Sequence, residues 1–222
     1  ESLEALGISL KKIVKLHNFI VDSSSPVNLN SRLDDHRISP VIRLVWVGRF
    51  VGWKGVDLCV EIAKEFRHAG VEFEFDIYGG GEGEVFERFV QQLSDAGLNA
   101  NFRLLGYRAS SEIYSQPYDF LVHTSRRAEP FGRVLIEAMD AGIIPVATRD
   151  GGPSDIIIHG VSGLLYDPQD VGEVVHSMID LWADAANKLE MIDQGKRRVE
   201  DFFSPSAVMP KLLALYDAVV RL

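Results

Sequence analysis

From about residue 40 onward the chain alternates between two hydrophobic patterns. Runs of consecutive apolar residues end in glycine-rich or polar loops, and the first of these runs covers positions 41–47. Longer segments between the runs carry apolar residues three and four positions apart, as at Val56, Val60, Ala63 and Phe66. The first pattern is typical of strands that are buried on both faces, and the second is typical of helices with one apolar face.

This alternation predicts an α/β fold. Further strands are predicted in FEFDIYG, FRLLG, DFLVHTS and IIPVAT, and helices in GEVFERFVQQLSDAG, SSEIYSQ and GRVLIEAMDAG. Two longer segments, which start at Asp170 and Ser204, are also predicted to be helical. Strands that alternate with helices form a parallel sheet with helices on both faces, so we expect a doubly wound, Rossmann-like sheet.

The pattern also divides the chain into three parts. Residues 1–39 lack this regular alternation, with a short apolar strand predicted within positions 11–22 and a polar linker after it. Residues 40–204 are predicted to form the regular domain, and residues 205–222 to form a last helix. We therefore expect one main domain, preceded by a segment that belongs to something larger.

Composition narrows the classes of function without changing this fold. The chain has 222 residues and a formal net charge of −9, and an acidic surface argues against wholesale nucleic-acid binding. With Cys59 as its single cysteine, the chain has no intrachain disulfide and no cysteine zinc site. No apolar stretch approaches the roughly 20 residues of a membrane-spanning helix. We expect a cytoplasmic protein.

The loops that follow the predicted strands carry the candidate chemistry, because such sheets bind ligands at the carboxyl ends of their strands. The first loop, GRFVGWKG, combines Gly48, Gly52 and Gly55 with Arg49 and Lys54. Glycines allow the backbone to approach a ligand, and an arginine with a lysine at a helix N-terminus suits a diphosphate. Two surface cations in an ordinary loop explain the same spacing equally well.

The second glycine loop, YGGGEG, contains Gly79, Gly80 and Gly81. Its backbone N–H groups are able to form a nest for phosphate. The loop does not match the dinucleotide-binding fingerprint, because Glu84 occupies the place of the third glycine. Taken alone, this loop favours a tight turn over a binding site.

Two carboxylates follow, with Glu129 in the loop before Gly132 and Glu137 inside the helix that begins there. A buried carboxylate is costly unless it is paired, and its two oxygens are able to accept hydrogen bonds from the vicinal hydroxyls of a sugar or a ribose. The structural alternatives are that Glu129 complements the helix dipole and that Glu137 forms a buried salt bridge with Arg133 or Arg149. Together, the loops and the carboxylates suggest a nucleotide sugar.

In this order the motifs resemble the donor-binding half of glycosyltransferase family 4, a family of retaining enzymes with the GT-B fold. The resemblance runs from about residue 12 to residue 205 and includes GR, KG, YGGGEG, LGY, the two glutamates, EAMDAGIIPVATRDGGPSDII and HGVSGLLYDP. It implies that residues 1–39 contain the end of an acceptor-binding half and the interdomain linker. It also implies that residues 40–204 bind the donor and that residues 205–222 cross back to the other half as a carboxyl-terminal helix.

The resemblance implies roles for individual residues. Arg49 and Lys54 would neutralise the donor diphosphate, Glu137 would bind the ribose, and Glu129 would face the transferred sugar; Arg49, Lys54 and Glu129 form the predicted catalytic set. Tyr107 would flank the base. The other implied substrate-binding residues are Gly48, Gly79, Gly80, Gly81, Phe131, Gly132 and Arg133. No role is predicted for Trp53.

The function implied by the resemblance is retaining transfer of a hexose from a nucleotide-diphosphate sugar to a hydroxyl of an acceptor sugar, lipid or polysaccharide. We expect no cofactor, and no metal at the diphosphate because the sequence contains no Asp-x-Asp triplet. The acceptor half and its catalytic histidine are missing, so we expect the chain to be inactive alone. The alternatives are a non-catalytic nucleotide-binding module and a nucleotide-sugar epimerase of related fold. Peripheral contact with a membrane is left open, and no nucleic-acid partner is expected.

Overall fold

The computed structural model describes residues 14–20 and 41–220. Apolar runs form the six strands of these ranges, with the bounds β1 Ile42–Val47, β2 Phe73–Tyr78, β3 Phe102–Gly106, β4 Phe120–His123, β5 Ile144–Thr148 and β6 Leu164–Tyr166. The helices are α1 Leu58–His68, α2 Glu84–Asp95, α3 Ser110–Tyr114, α4 Arg133–Asp140, α5 Gly152–Ile156, α6 Val171–Ala183, α7 Ala185–Phe203 and α8 Pro205–Val220. A short 3-10 helix, Gly52–Lys54, precedes α1. The predicted linker lies outside the described residues.

The strands form one parallel sheet with the order β3-β2-β1-β4-β5-β6. This order confirms the predicted doubly wound, Rossmann-like fold. The strand order changes direction between the neighbouring strands β1 and β4. The connections that follow these two strands run to opposite faces of the sheet, which leaves a crevice at the carboxyl ends of the strands. The loops of the candidate site all emerge at this edge.

Each face of the sheet packs against its own hydrophobic cluster. One cluster contains Trp46, Phe66 and Phe75, and the other contains Leu135 and Phe203. Successive strand residues alternate between the two clusters, as the pleat of a strand requires. Because both faces are covered, the strands are apolar over most of their length, which explains why they appear as nearly continuous runs in the sequence.

Ion pairs that involve buried carboxylates anchor the sheet away from this edge. Lys188 of α7 pairs with Asp119, whose other carboxylate oxygen accepts a hydrogen bond from the backbone N–H of Arg43 at 2.8 Å. Asp76 of β2 accepts two hydrogen bonds from Arg103. These groups are paired within the protein, so the fold itself accounts for their burial.

The structure differs from the sequence-based expectation in three places. The strand predicted within positions 11–22 is wrong for its described part, because residues 14–20 form no strand and the N–H of Ile20 instead bonds to the carbonyl of Phe203. Helix α1 begins only at Leu58, after a 3-10 turn that ends at Gly55 with φ +61°. The long helical segment after Asp170 is interrupted at Asp184, which caps α7.

None of the helices in the described ranges is long and apolar enough to cross a membrane.

Candidate active site

Backbone contacts between neighbouring loops shape the carboxyl edge of the sheet. The N–H of Gly48 donates to the carbonyl of Tyr78 at 3.0 Å, and a Cβ at Gly79 would lie 2.1 Å from the carbonyl oxygen of Gly48. A Cβ at Gly55 would lie 2.2 Å from the carbonyl oxygen of Thr124. Glycine is therefore needed at 55 and 79 because the loops after β1, β2 and β4 touch each other directly.

Glu129 lies at the centre of this edge and is 8% exposed. Its Oε2 is 2.5 Å from Lys54 Nζ, 3.0 Å from Ser125 Oγ and 3.4 Å from His123 Nε2. Its other oxygen, Oε1, accepts no hydrogen bond from the described part of the chain and is not buried. The protein thus holds one oxygen of this carboxylate and leaves the other open to a ligand.

The environment of Glu129 keeps its carboxylate ionised. Burial raises its pKa, but the hydrogen bonds from His123 and Lys54 and the charge of Lys54 outweigh burial and lower the pKa of Glu129 to about 2. The loop is further fixed by its backbone, since the N–H of Gly152 donates to the carbonyl of Glu129 at 2.7 Å. A helix-dipole contact, the structural alternative considered for Glu129, does not account for this set of partners.

Lys54 is positioned by its neighbour Trp53 and by the loop after β4. Its Nζ lies 4.4 Å from the centroid of the Trp53 ring, which provides a cation–π contact. Its carbonyl accepts a hydrogen bond from Thr124 Oγ1 at 2.7 Å, and the carbonyl of Trp53 accepts one from the N–H of Arg126 at 2.8 Å. Trp53 therefore packs on the ammonium group of Lys54, a contact that the sequence did not predict.

Arg49 is exposed at the beginning of the same loop, two residues after β1, and forms no ion pair within residues 14–20 and 41–220. The two predicted cations thus have different surroundings. Lys54 is bound to Glu129, whereas the guanidinium of Arg49 faces solvent. A diphosphate bound at this loop would contact one cation that is already paired, Lys54, and one that is exposed, Arg49.

Glu137 lies on α4 in a different environment. Its Oε1 accepts a hydrogen bond from Arg133 Nη2 at 3.1 Å, and its Oε2 lies 3.5 Å from Ser110 Oγ. Burial raises the pKa of Glu137, and the charge of Arg133 and the hydrogen bonds from Tyr114 and Ser110 oppose this shift only in part. The salt bridge considered with Arg133 is present, but it is not buried, because the Arg133 side chain is 65% exposed.

The other salt bridge considered for Glu137 is wrong. Arg149 Nη2 donates instead to the carbonyl oxygen of Leu165 at 3.3 Å, next to β6. Its side chain is directed along β5 and β6 rather than toward α4. Among the described residues, the carboxylate of Glu137 is therefore paired on its own helix and with α3.

The remaining predicted site residues differ in how exposed they are. Gly132 is the N-cap residue directly before α4 and has φ +98°. Tyr107 follows β3 and is 83% exposed, and a Cβ at Gly80 would meet no atom within 4 Å, whereas one at Gly81 would lie 3.4 Å from Phe86. Tyr107 and Gly80 are thus accessible to a ligand, and their predicted roles stay predictions.

Phe131 has a structural contact that the sequence did not reveal. Its ring centroid lies 5.9 Å from that of Phe203 and 6.2 Å from that of His17. The side chain therefore ties the β4 loop to α7 and to the segment 14–20. Its predicted part in substrate binding stays a prediction.

Two further residues at this edge were not selected from the sequence. His123 ends β4 and Ser125 follows two positions later, and both side chains contact Glu129. The sequence did contain an indication, because DFLVHTS changes from apolar to polar residues where the strand ends. Both residues belong to the Glu129 cluster, which we define as Lys54, His123, Ser125 and Glu129.

Comparisons with known proteins identify the family and the fold. Residues 36–198 match the family model described as glycosyl transferases group 1. The 2-deoxystreptamine N-acetyl-D-glucosaminyltransferase of Niallia circulans is 28% identical over 177 residues, which are 79% of this chain and 45% of that protein. The chain thus spans about half the length of this curated relative.

Two solved structures share the fold. HepE from Anabaena in complex with UDP-glucose has a TM-score of 0.73 at 22% identity and aligns over 88% of this chain and 54% of that chain. The carboxyl-terminal domain of the group 1 glycosyl transferase LpcC from Francisella tularensis has a TM-score of 0.67 at 22% identity. That alignment covers 83% of this chain and 99% of the Francisella chain.

Proposed function

Because the chain belongs to the glycosyl transferases of group 1, we propose that it is the donor-binding half of a retaining enzyme that transfers a hexose from a nucleotide-diphosphate sugar. The Lys54–Glu129 pair carries this proposal. It joins a cation, on the loop predicted to hold the diphosphate, to a carboxylate with one free oxygen. Such an arrangement suits the point where a sugar meets a phosphate.

Each part of the ligand has a counterpart along the edge of the sheet. Lys54 and Arg49 would neutralise the diphosphate, with support from the free N–H groups at the start of α4. Glu137 would bind the ribose hydroxyls, and Oε1 of Glu129 would accept a hydroxyl of the transferred sugar. Tyr107 and the loop of Gly79, Gly80 and Gly81 would flank the base and the donor.

Glycosyl transfer requires charge stabilisation at two positions. As the bond between the anomeric carbon and the diphosphate oxygen breaks, negative charge grows on the phosphate and positive charge grows on the sugar ring. Lys54 and Arg49 would stabilise the former without a metal, and the ionised Glu129 would stabilise the latter. The low pKa of Glu129 supports this role, because its carboxylate does not compete for the proton of the acceptor hydroxyl.

Two observations support a donor half rather than a complete enzyme. The chain covers 45% of the Niallia relative and aligns with nearly all of the Francisella carboxyl-terminal domain. Helix α8 also presents exposed apolar side chains, including Leu213, Tyr216 and Val220. We propose that this side of α8 contacts an acceptor-binding half, which would hold an acceptor sugar, lipid or polysaccharide.

Calorimetric titration tests the assignment of the two glutamates. The wild-type chain would be titrated with UDP, GDP and ADP and with the corresponding glucose donors, beside Glu129→Gln and Glu137→Gln. Glu137→Gln should weaken the matching nucleotide and its sugar donor alike, by about tenfold for a lost charged hydrogen bond. Glu129→Gln should weaken only the sugar donor, by about the same factor.

Melting curves of both variants provide the control for folding. Equal effects of the two substitutions on the free nucleotide would refute the division of roles. Absence of binding by the wild-type chain to every nucleotide and donor in the panel would refute the donor-half proposal itself. Transfer of glucose by the isolated chain to a hydroxyl acceptor would refute its dependence on a second half.

A further inference from the structure

His123 has an arrangement that packing alone does not explain. Its side chain is 4% exposed, and its Nε2 lies 3.2 Å from Ser125 Oγ and 3.4 Å from Glu129 Oε2. Its Nδ1 is buried and has no hydrogen-bond partner among the residues the structure describes. Leu121, two positions earlier on the same face of β4, is an ordinary core residue. A second leucine would fill the place of His123 without leaving a buried nitrogen unpaired.

The hydrogen bonds of the Glu129 cluster show which nitrogen of the ring acts as a donor. A carboxylate only accepts, so the hydroxyl of Ser125 donates its proton to Glu129 Oε2 at 3.0 Å. The oxygen of Ser125 is then an acceptor toward His123, whose Nε2 faces two acceptors and must carry a proton. His123 therefore enters the cluster as a donor through Nε2.

The donors of the cluster all act on one oxygen. Lys54, Ser125 and His123 approach Oε2 from different elements, and no described residue donates to Oε1. Lys54 alone would allow the carboxylate to rotate and exchange its two oxygens. The donors from the end of β4 fix the plane of the carboxylate, so that Oε1 stays directed away from them.

From this geometry we propose that His123 is a positioning residue for Glu129. Through Nε2–H it holds the carboxylate of Glu129, directly and through Ser125, so that Oε1 is presented to the transferred sugar. His123 itself does not touch the ligand. The inference rests on the proposed function, because it gives His123 a part in binding the sugar end of a nucleotide-sugar donor.

Three variants at position 123 separate positioning from packing. His123→Leu fills the space without a donor. His123→Gln places an amide nitrogen near the position of Nε2, whereas His123→Asn places one near Nδ1. We expect His123→Leu and His123→Asn to weaken binding of the preferred glucose donor by about three- to tenfold, the loss of a hydrogen bond, with nucleoside diphosphate affected less than about twofold. His123→Gln should restore most of the donor affinity.

Calorimetric titration with the free nucleoside diphosphate and its glucose donor gives both affinities for each variant. Equal donor affinity in the wild type and His123→Leu, or equal loss of nucleotide and donor, would overturn the positioning role. If the wild type binds no donor, the proposed function fails and this inference fails with it. A wild type that binds the donor while His123→Leu is unaffected refutes only the inference.

A measurement without ligand tests the geometry even if a variant does not fold. Long-range proton–nitrogen NMR of the wild-type chain should show a proton on Nε2 of His123. Glu129→Gln should alter the Nε2 resonance, because the carboxylate is its direct acceptor. An Nε2 without a proton would contradict the proposed hydrogen bonds and overturn the inference.

Discussion

The two glutamates of the site are the same residue type, eight positions apart in sequence, and their surroundings act on them in opposite directions. Glu129 lies in a loop where donors from three parts of the chain meet on one oxygen, and its pKa falls to about 2. Glu137 lies on a helix beside the exposed Arg133, and burial raises its pKa. Burial favours the neutral acid in both places, so the difference lies in the opposing interactions: the hydrogen bonds of His123 and Lys54 and the charge of Lys54 outweigh burial at Glu129, whereas those of Arg133, Tyr114 and Ser110 do not outweigh it at Glu137.

This difference assigns different tasks to the two carboxylates. A carboxylate that the protein has already fixed and ionised presents one oxygen without further adjustment, which suits a charge that develops during reaction. A carboxylate with an adaptable arginine partner is able to exchange that partner for ligand hydroxyls. Both tasks fit a single elongated ligand that passes from Glu137 to Glu129 along the edge of the sheet.

The largest effect is expected when Glu129 loses its charged partner, Lys54. Lys54→Met should destabilise the folded chain by about 3 kcal/mol, because a mostly buried carboxylate is left without its charged partner. The double variant Lys54→Met/Glu129→Gln should recover much of this loss, since no charge is then stranded. Urea unfolding at neutral pH measures both values. A double variant no more stable than Lys54→Met would show that the pair is not coupled as the structure indicates.

The pH dependence of stability should distinguish the two glutamates by sign. The pKa of Glu129 in the folded chain, about 2, lies below its ordinary value of 4.5. Its ionisation therefore stabilises the fold above pH 4.5, and this contribution is lost as the pH falls toward 2. The loss amounts to on the order of 2–3 kcal/mol. The pKa of Glu137 is raised, so its contribution is present below its ordinary pKa and is lost as pH rises through the folded value.

Unfolding by urea across the acid range measures this contrast. Glu129→Gln should flatten the fall in stability below about pH 4.5 relative to the wild type. Glu137→Gln should instead remove the loss of folding stability that the wild type shows as pH rises above about 4.5. The contrast between the two environments is wrong if both variants change the pH profile in the same direction.

The fold could be predicted from the sequence because short local patterns mark its strands and helices. Apolar runs mark strands such as Ile42–Val47, and glycines end the helices that follow, so the alternation of the parallel sheet follows from short windows. The two glutamates and the cations of the first loop could also be selected as candidates. The segment 14–20 is an exception, because its His17 and Ile20 contact Phe203 at the end of α7 instead of pairing with a strand.

The pairing within the site could not be predicted from the sequence. Lys54 and Glu129 are 75 residues apart, and their contact depends on the loops after β1 and β4 meeting where strand order reverses. The same meeting places Ser125 and His123 against one oxygen of the carboxylate. Spacing along the chain indicates which residue types reach an edge of a sheet, but the side chains that touch each other there follow from the tertiary structure.

The smallest effect is expected at the ion pair of Arg133 and Glu137. Arg133 and Glu137 are four positions apart on α4, and the Arg133 side chain is 65% exposed, so solvent screens their attraction. A double-mutant cycle with Arg133→Met and Glu137→Gln should give a coupling free energy of about 0.5 kcal/mol or less. The pair of Arg197 and Asp193 on α7 has the same spacing at 2.8 Å and serves as a matched control.

The same cycle on Lys54 and Glu129 should give a coupling several times larger, because both side chains there are mostly buried. Arg133→Met should therefore leave the fold nearly as stable as the wild type, while any change in nucleotide affinity reports on the ribose end of the site. Equal coupling energies in the two cycles would mean that the burial of Lys54 and Glu129 adds nothing to their attraction. The low pKa of Glu129 would then need a source other than its cation.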